Sequence, residues 1–247
     1  MGRRDVAQLY PLANTTQSIE RSARDHIPFY RLEPPDNQNQ THEPGAVAFG
    51  WTRNALIARF EMVDAAIVTS ASHDNQPHYD LGDTAELFIK PARKDYYWEF
   101  YATPNGYRTA MCWESGPSSY QGETLPYIDP QFIDVRVNRS DAPAEHGQGP
   151  DIDQRPGWWA EIAVSRQLIE SRGDPFDFNA GHWTVLASRY NYPAGLPDRP
   201  DAGKAASCLA LTPGQPELTS FPRLPEANFH LIDRFAELRE IPYAAPY

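Results

Sequence analysis

Residues 96–113, from Tyr96 to Trp113, read YYWEFYATPNGYRTAMCW. Over Tyr96–Thr103 the side chains fall into two alternating sets, Tyr96/Trp98/Phe100 and Tyr97/Glu99/Tyr101. A period of two is the mark of a β-strand. Pro104-Asn105-Gly106 breaks the pattern with residues suited to a tight reversal, and Tyr107–Trp113 returns. The stretch therefore predicts a β-hairpin.

The same period extends to both sides. Thr84–Lys90 places Ala85, Leu87 and Ile89 on one face and Glu86 and Phe88 on the other. Ala46–Trp51 and Ala55–Val63 read as two strands meeting near Thr52-Arg53-Asn54, and Ala65–Ser70 follows as a further extended stretch. Ile133, Val135 and Val137 alternate, as do Trp158, Ala160, Ile162 and Val164, and Trp183–Tyr190 closes the series. The chain has 24 prolines in 247 residues, about twice the usual share of roughly 5%. Proline is barred from helix interiors and central strands, so the clusters at Pro34-Pro35, Pro143 to Pro156, Pro193 to Pro200 and Pro213 to Pro225 mark loops. The expected fold is all-β, a single-domain sandwich or jelly roll of about nine or more strands with at most short helices. Residues 1–45 read as an irregular segment packed on or extending it, with one short helical stretch around Ser18–Arg24. In Phe229–Ile241, Leu231, Phe235, Leu238 and Ile241 fall near helical spacing, so local pattern predicts a helix there.

Composition narrows the function classes. With 22 Lys+Arg against 33 Asp+Glu the net charge is −11, which argues against a nucleic-acid partner. No stretch approaches about 18 uninterrupted apolar residues, so no membrane span is expected. No apolar run follows Arg3-Arg4, so the chain as given reads as cytoplasmic; removal of a leader would make it secreted or periplasmic. Cys112 and Cys208 are too few for a disulfide framework or a zinc cluster and read as buried small hydrophobes, with one disulfide as the alternative. There is no nucleophile elbow and no phosphate-binding glycine loop. His73, His78, Asp80 and Asp83 lie close in sequence; a metal there would be Ca²⁺, at Asp80 and Asp83, because oxygen ligands suit it. No organic cofactor is expected.

The aromatics are the stronger lead. Thirteen Tyr, eleven Phe and six Trp offer π-faces to the CH faces of sugar rings. Trp98, Trp158 and Trp183 sit inside alternating strands and read as core. Tyr79, His78, Trp113, Tyr120, Tyr192 and Phe229 lie at strand ends, where a ligand platform belongs.

Six segments in order resemble the family 9 carbohydrate-binding modules, part of the wider DOMON-like β-sandwich group. Leu56–Asp64 (LIARFEMVD) is similar to the family's strand ending in Val-Asp. Tyr79–Pro91 (YDLGDTAELFIKP) is similar to its D-x-x-E-x-F-i-x-P signature, and Tyr96–Gly106 (YYWEFYATPNG) to its Y-Y-E-F…P-N-G hairpin. Trp159–Val164 (WAEIAV) resembles W-x-x-E-i-a-i, Trp183–Tyr190 (WTVLASRY) resembles W-r-v-N-f-x-R with Leu186 in place of Asn, and Phe229–Leu238 (FHLIDRFAEL) resembles F-H-x-p-e-x-F-G-x-l.

The resemblance implies non-catalytic binding of a saccharide in carbohydrate catabolism. It places the stacking pair at Tyr79 or His78 and at Phe229. Trp stands at both positions in sugar-binding members, so the platform here is smaller. Glu86 matches the acidic residue that accepts hydrogen bonds from sugar hydroxyls, Arg189 matches the Arg of the N-f-x-R strand, and Glu99 stands where a prototype has a basic group. The resemblance also implies a structural Ca²⁺ held by loop oxygens, and a final strand from about Phe235 after a turn at Phe229–Asp233. Three alternatives stay open: a glycoside hydrolase using Glu86 with Glu99 or Glu161, since such enzymes need paired carboxylates; a haem-binding relative using Met111 and histidine; and an interaction domain with no ligand.

Overall fold

The structure, a computed structural model, describes residues 5–12, 19, 27–38, 43–117, 124–140, 156–179, 181–193, 195–196 and 214–241. Twelve strands join in one sheet. They are β1 (Val6–Pro11), β2 (Tyr30–Arg31), β3 (Gly45–Trp51), β4 (Ala55–Val63), β5 (Thr84–Pro91) and β6 (Tyr97–Ala102). β7 (Arg108–Trp113), β8 (Ile133–Ser140), β9 (Gly157–Ser165), β10 (Trp183–Asn191), β11 (Glu217–Phe221) and β12 (Ala236–Glu240) complete it. The α-helix among the described residues is α1 (Arg166–Glu170), capped by Ser165 Oγ accepting from the Leu168 amide. None of their helices is long and apolar enough to cross a membrane.

The strand order β7-β6-β5-β10-β12-β1-β3-β4-β9-β8 is continuous, with β11 beside β10 and β2 beside β3. The sheet folds over so that β6 and β7 lie against β8 and β9. Two layers result, and β12 and β1 carry the sheet from one to the other. Between the layers lies the main core. Ala85, Leu87 and Ile89, Trp98 and Phe100, and Trp183, Val185 and Ala187 meet Leu56, Ala58 and Phe60 and Trp158, Ala160 and Ile162. The free edge of β7 is covered by the segment before β8, with the Cys112 amide donating to Pro126 O at 3.0 Å and the Ile128 amide to Ala110 O at 2.9 Å. Covering an edge in this way blocks pairing with other chains.

The expected hairpin is present. β6 and β7 pair from Tyr97↔Trp113 to Ala102↔Arg108, and Gly106 takes φ +88° in the turn. Asn105 Nδ2 ties that turn to Ala71 O at 2.8 Å.

Three expectations need correction. Residues 6–11 are not irregular: β1 buries Ala7 and Leu9 and pairs in parallel with both β12 and β3. Six residues with two apolar side chains carry too short an alternation to stand out in sequence. Ala65–Ser70 is not a strand; it makes one isolated bridge, Thr69↔Gly82. Phe229–Ile241 is not a helix: a 3-10 turn at Ile232–Arg234 leads into β12, as the family resemblance implies. Its near-helical spacing arises because Phe235 packs on one face of the sheet and Leu238 on the other. The Ser18–Arg24 stretch lies outside the described residues, Ile19 excepted.

Candidate functional site

In β5, β6 and β10 every side chain but that of Tyr190 is buried on both faces of the sheet. The face turned away from the main core is therefore covered too, and its residues form a second cluster. Phe88, Tyr97, Tyr101, Met111, Trp113 and Leu186 come from the strands. Phe229, Leu231, Ile232 and Phe235 from the segment before β12, Leu125 and Tyr127 from the β7 edge, and Tyr79 from the turn before β5 cover them. Two carboxylates sit among these rings, Glu86 of β5 and Glu99 of β6.

The β5–β6 register pairs Glu86 with Tyr101 and Phe88 with Glu99, so the two acids are diagonal neighbours on one face. Ser188 Oγ donates to Glu86 at 2.8 Å. Tyr101 Oη and Trp113 Nε1 donate to the two oxygens of Glu99. Neither acid has a Lys or Arg partner among the described residues. Burial pushes both upward: Glu99 rises to about 7 against the pull of its two donors, and Glu86 rises well above the carboxylate range through burial and the charge of Glu99. Near neutrality the pair retains a proton.

Around the acids stands a row of rings. Tyr79 meets Tyr190 at 5.9 Å between centroids and Tyr101 edge-on at 6.1 Å, and Tyr190 meets Phe229 edge-on at 5.6 Å. Burial, then nearby carboxylates including Asp80, Glu99 and Glu86, push the Tyr79 phenol up to about 12. It is a neutral donor at any ordinary pH. Farther along, Tyr97 Oη lies 2.7 Å from His230 Nδ1, and the imidazole packs edge-on against Phe88 and Trp113. Burial holds His230 down at about 4.

Tyr79 is placed by a built turn. His78–Asp80 form a 3-10 turn, Gly82 takes φ +135°, and Tyr192 Oη donates to Tyr79 O. The turn separates the two stacking candidates. Tyr79 is half-buried on the face, whereas His78 is fully buried, its ring between Thr109 Oγ1 at 2.9 Å and His73 O at 3.1 Å. His78 therefore supports the turn and offers no platform. Phe229 is 6% exposed and backs Tyr190 more than it faces outward.

Arg189 departs furthest from expectation. It points into the space between the layers, fully buried, 3.3 Å from Asp64 Oδ2 and 2.8 Å from Asn191 Oδ1. It does not meet Glu86. Asp83 belongs to the same interior network: its oxygens accept the Val68 and Tyr192 amides, and burial plus the charge of Asp64 push it well up. Asp80 is exposed on the neighbouring turn. No three His, Cys, Asp or Glu among the described residues are placed to hold a metal ion. Glu161 lies on the opposite layer, 3.4 Å from Arg59 and bonded by the Ile19 amide, which rules out pairing with Glu86. Met111 is buried beside Tyr127. Cys112 is half-buried rather than buried, is free, and takes a bond from Arg172 at 3.1 Å. Tyr120 and Cys208 lie outside the described residues.

Tyr101, Tyr190 and His230 are members of the candidate site that the strand-end criterion passes over. The first shares the Tyr97/Glu99/Tyr101 set, so its face was legible once Glu99 was placed; Tyr190 follows from the period of β10.

No protein-family model and no curated protein sequence matches the chain. Solved structures do. A protein of Bacteroides uniformis, provisionally named as carbohydrate-binding, is 13% identical with a TM-score of 0.63, over 96% of this chain and 99% of its own. A family 9 carbohydrate-binding module from Caldicellulosiruptor kristjanssonii with cellotriose is 10% identical at TM-score 0.52, over 96% of this chain and 93% of its own. The module from that organism with glucose is 9% identical at TM-score 0.53, over 97% and 98%. The chain is similar to these structures in fold.

Proposed function

We propose that the chain binds a saccharide, without turning it over, on the outer face of β7-β6-β5-β10. The observation that carries this reading is the row Tyr79–Tyr190–Phe229 set beside Glu86. Tyr79 and Tyr190, the half-buried rings of the row, offer apolar surface to a sugar's CH faces with Phe229 backing them, and the acids with their tyrosine neighbours offer hydrogen-bond acceptors and donors that fix its orientation. The solved structures that share the fold include modules bound to cellotriose and to glucose. Glu99 already accepts from Tyr101 and Trp113 on both oxygens, so Glu86, held by one bond from Ser188 among the described residues, is the acid with acceptor capacity for a ligand.

Calorimetric titration with mono- and oligosaccharides tests the reading. Binding in the micromolar-to-millimolar range, without product, and weakened about tenfold or more in Tyr79→Ala is expected. Silence across the panel, or affinity unchanged in Tyr79→Ala, overturns it. Released sugar that disappears in Glu86→Gln would establish hydrolysis instead.

A further inference from the structure

We propose that the sugar taken by this face carries a protonated amine, its ammonium seated at the Glu86–Glu99 pair. The inference rests on the saccharide-binding reading and names the ligand class of that site.

Glu86 and Glu99 are each at most 2% exposed. Buried charges ordinarily have a cationic partner, because desolvation without one is strongly unfavourable. Among the described residues, the groups that bond to the two acids or stand beside them through their rings are neutral. Ser188 comes from β10, Tyr101 from β6, Trp113 from β7, and the Tyr79 and Tyr190 phenols stand near both acids from the turn and from β10. Lys90 shares the outer face of β5 and is a diagonal neighbour of Glu99, but its Nζ turns to Pro91 O at 3.2 Å and forms no ion pair with either acid among the described residues. The exposed Asp80 beside Tyr79 adds further negative charge. Glu86 is held by a single hydrogen bond from Ser188 among the described residues, which leaves acceptor capacity for a ligand.

A neutral hexose brings hydroxyl groups, which satisfy acceptors but not charge. An ammonium satisfies both. It donates to the carboxylates and lies against the negative π-faces of Tyr79 and Tyr190, the arrangement by which aromatic cages take amine cations. Diagonal neighbours on a sheet lie about 7–8 Å apart at their backbones, so two Glu side chains can converge on one such group. In the free protein a proton occupies that place; the ligand displaces it.

The test is calorimetry on the full chain at pH 7 with glucosamine, glucose and N-acetylglucosamine. Glucosamine is expected to bind about tenfold or more tightly than glucose, with proton release visible as a dependence of the heat on the buffer's ionisation enthalpy. N-acetylation, which removes the charge but keeps the ring, should abolish the preference, as should Glu86→Gln. The wild-type comparison decides the matter even if that variant fails to fold. Glucose binding as tightly as glucosamine, weakened by Tyr79→Ala, overturns the amine inference alone. Silence of all three sugars overturns the inference together with the saccharide reading.

Discussion

Glu86 and Arg189 lie on opposite faces of one pair of strands. In the β5–β10 ladder Glu86 stands opposite Ser188 and Arg189 opposite Ala85. Glu86 therefore turns outward to Ser188 Oγ at 2.8 Å, while Arg189 turns inward to Asp64 at 3.3 Å. The two residues that the family resemblance joins as polar anchors do separate jobs, one facing the candidate ligand and the other holding the layers together.

Arg189 is accordingly a stability residue. Its loss leaves Asp64, Asp83 and the adjoining Glu43 with no cationic partner among the described residues, and stranding a buried charge is worth about 3–5 kcal/mol. Arg189→Ala should lower the unfolding free energy measured in urea by that much, as a shift of the midpoint at unchanged m-value. A loss under about 1 kcal/mol would show that the interior network does not need its cation.

Much of this was legible in sequence. The period of two in Thr84–Lys90 and Tyr96–Trp113 with the Pro-Asn-Gly turn predicts β5, β6 and β7 to within a residue or so. It also separates Glu86 from Asp83, which point to opposite faces. Which face is outward was not legible, because both faces of these strands are buried and both carry aromatics. Arg189 misleads for that reason: an Arg in a strand reads as solvent- or ligand-facing, yet its partner Asp64 is 125 positions away and only tertiary structure brings them together. β1 was hidden, and β12 was legible through the family resemblance but not through local pattern, because a parallel pairing of strands so far apart in sequence leaves no turn signal between the partners.

Stability should fall as pH rises from 6.5 to 8. Glu99, raised from 4.5 to about 7, stabilises the fold fully below 4.5 and loses that contribution as pH rises through 7, on the order of 3 kcal/mol in all. Glu86, Asp64 and Asp83 shift in the same direction. The depressed histidines, His78 and His230, oppose this over the lower part of the window, where the unfolded chain still sheds their protons, and the four acids together outweigh them. Thermal melts at pH 6.5 and 8 should show a lower Tm at 8, with a smaller difference in Glu99→Gln. A Tm that climbs with pH would contradict the burial of these acids.

Gly82 sets the turn that presents Tyr79. At φ +135° a Cβ would collide with Val68 O, so Gly82→Ala should destabilise by about 1–3 kcal/mol. Because the strain falls on the His78–Asp83 segment, saccharide affinity should drop as well. Unaltered stability and affinity would mean that this turn is not what positions Tyr79.

The most direct measurement is an NMR titration of the tryptophan indole N–H signals with the saccharide that binds best in calorimetry. Trp113 is the tryptophan on the proposed face, with Nε1 donating to Glu99; Trp98, Trp158 and Trp183 lie in the core between the layers. Trp159 reports on the opposite layer, where Arg59 stacks on its ring at 3.6 Å. Saccharide should move the Trp113 signal progressively and leave Trp159 in place. Binding that moves Trp159 and spares Trp113 would put the ligand on the other layer and contradict the assignment.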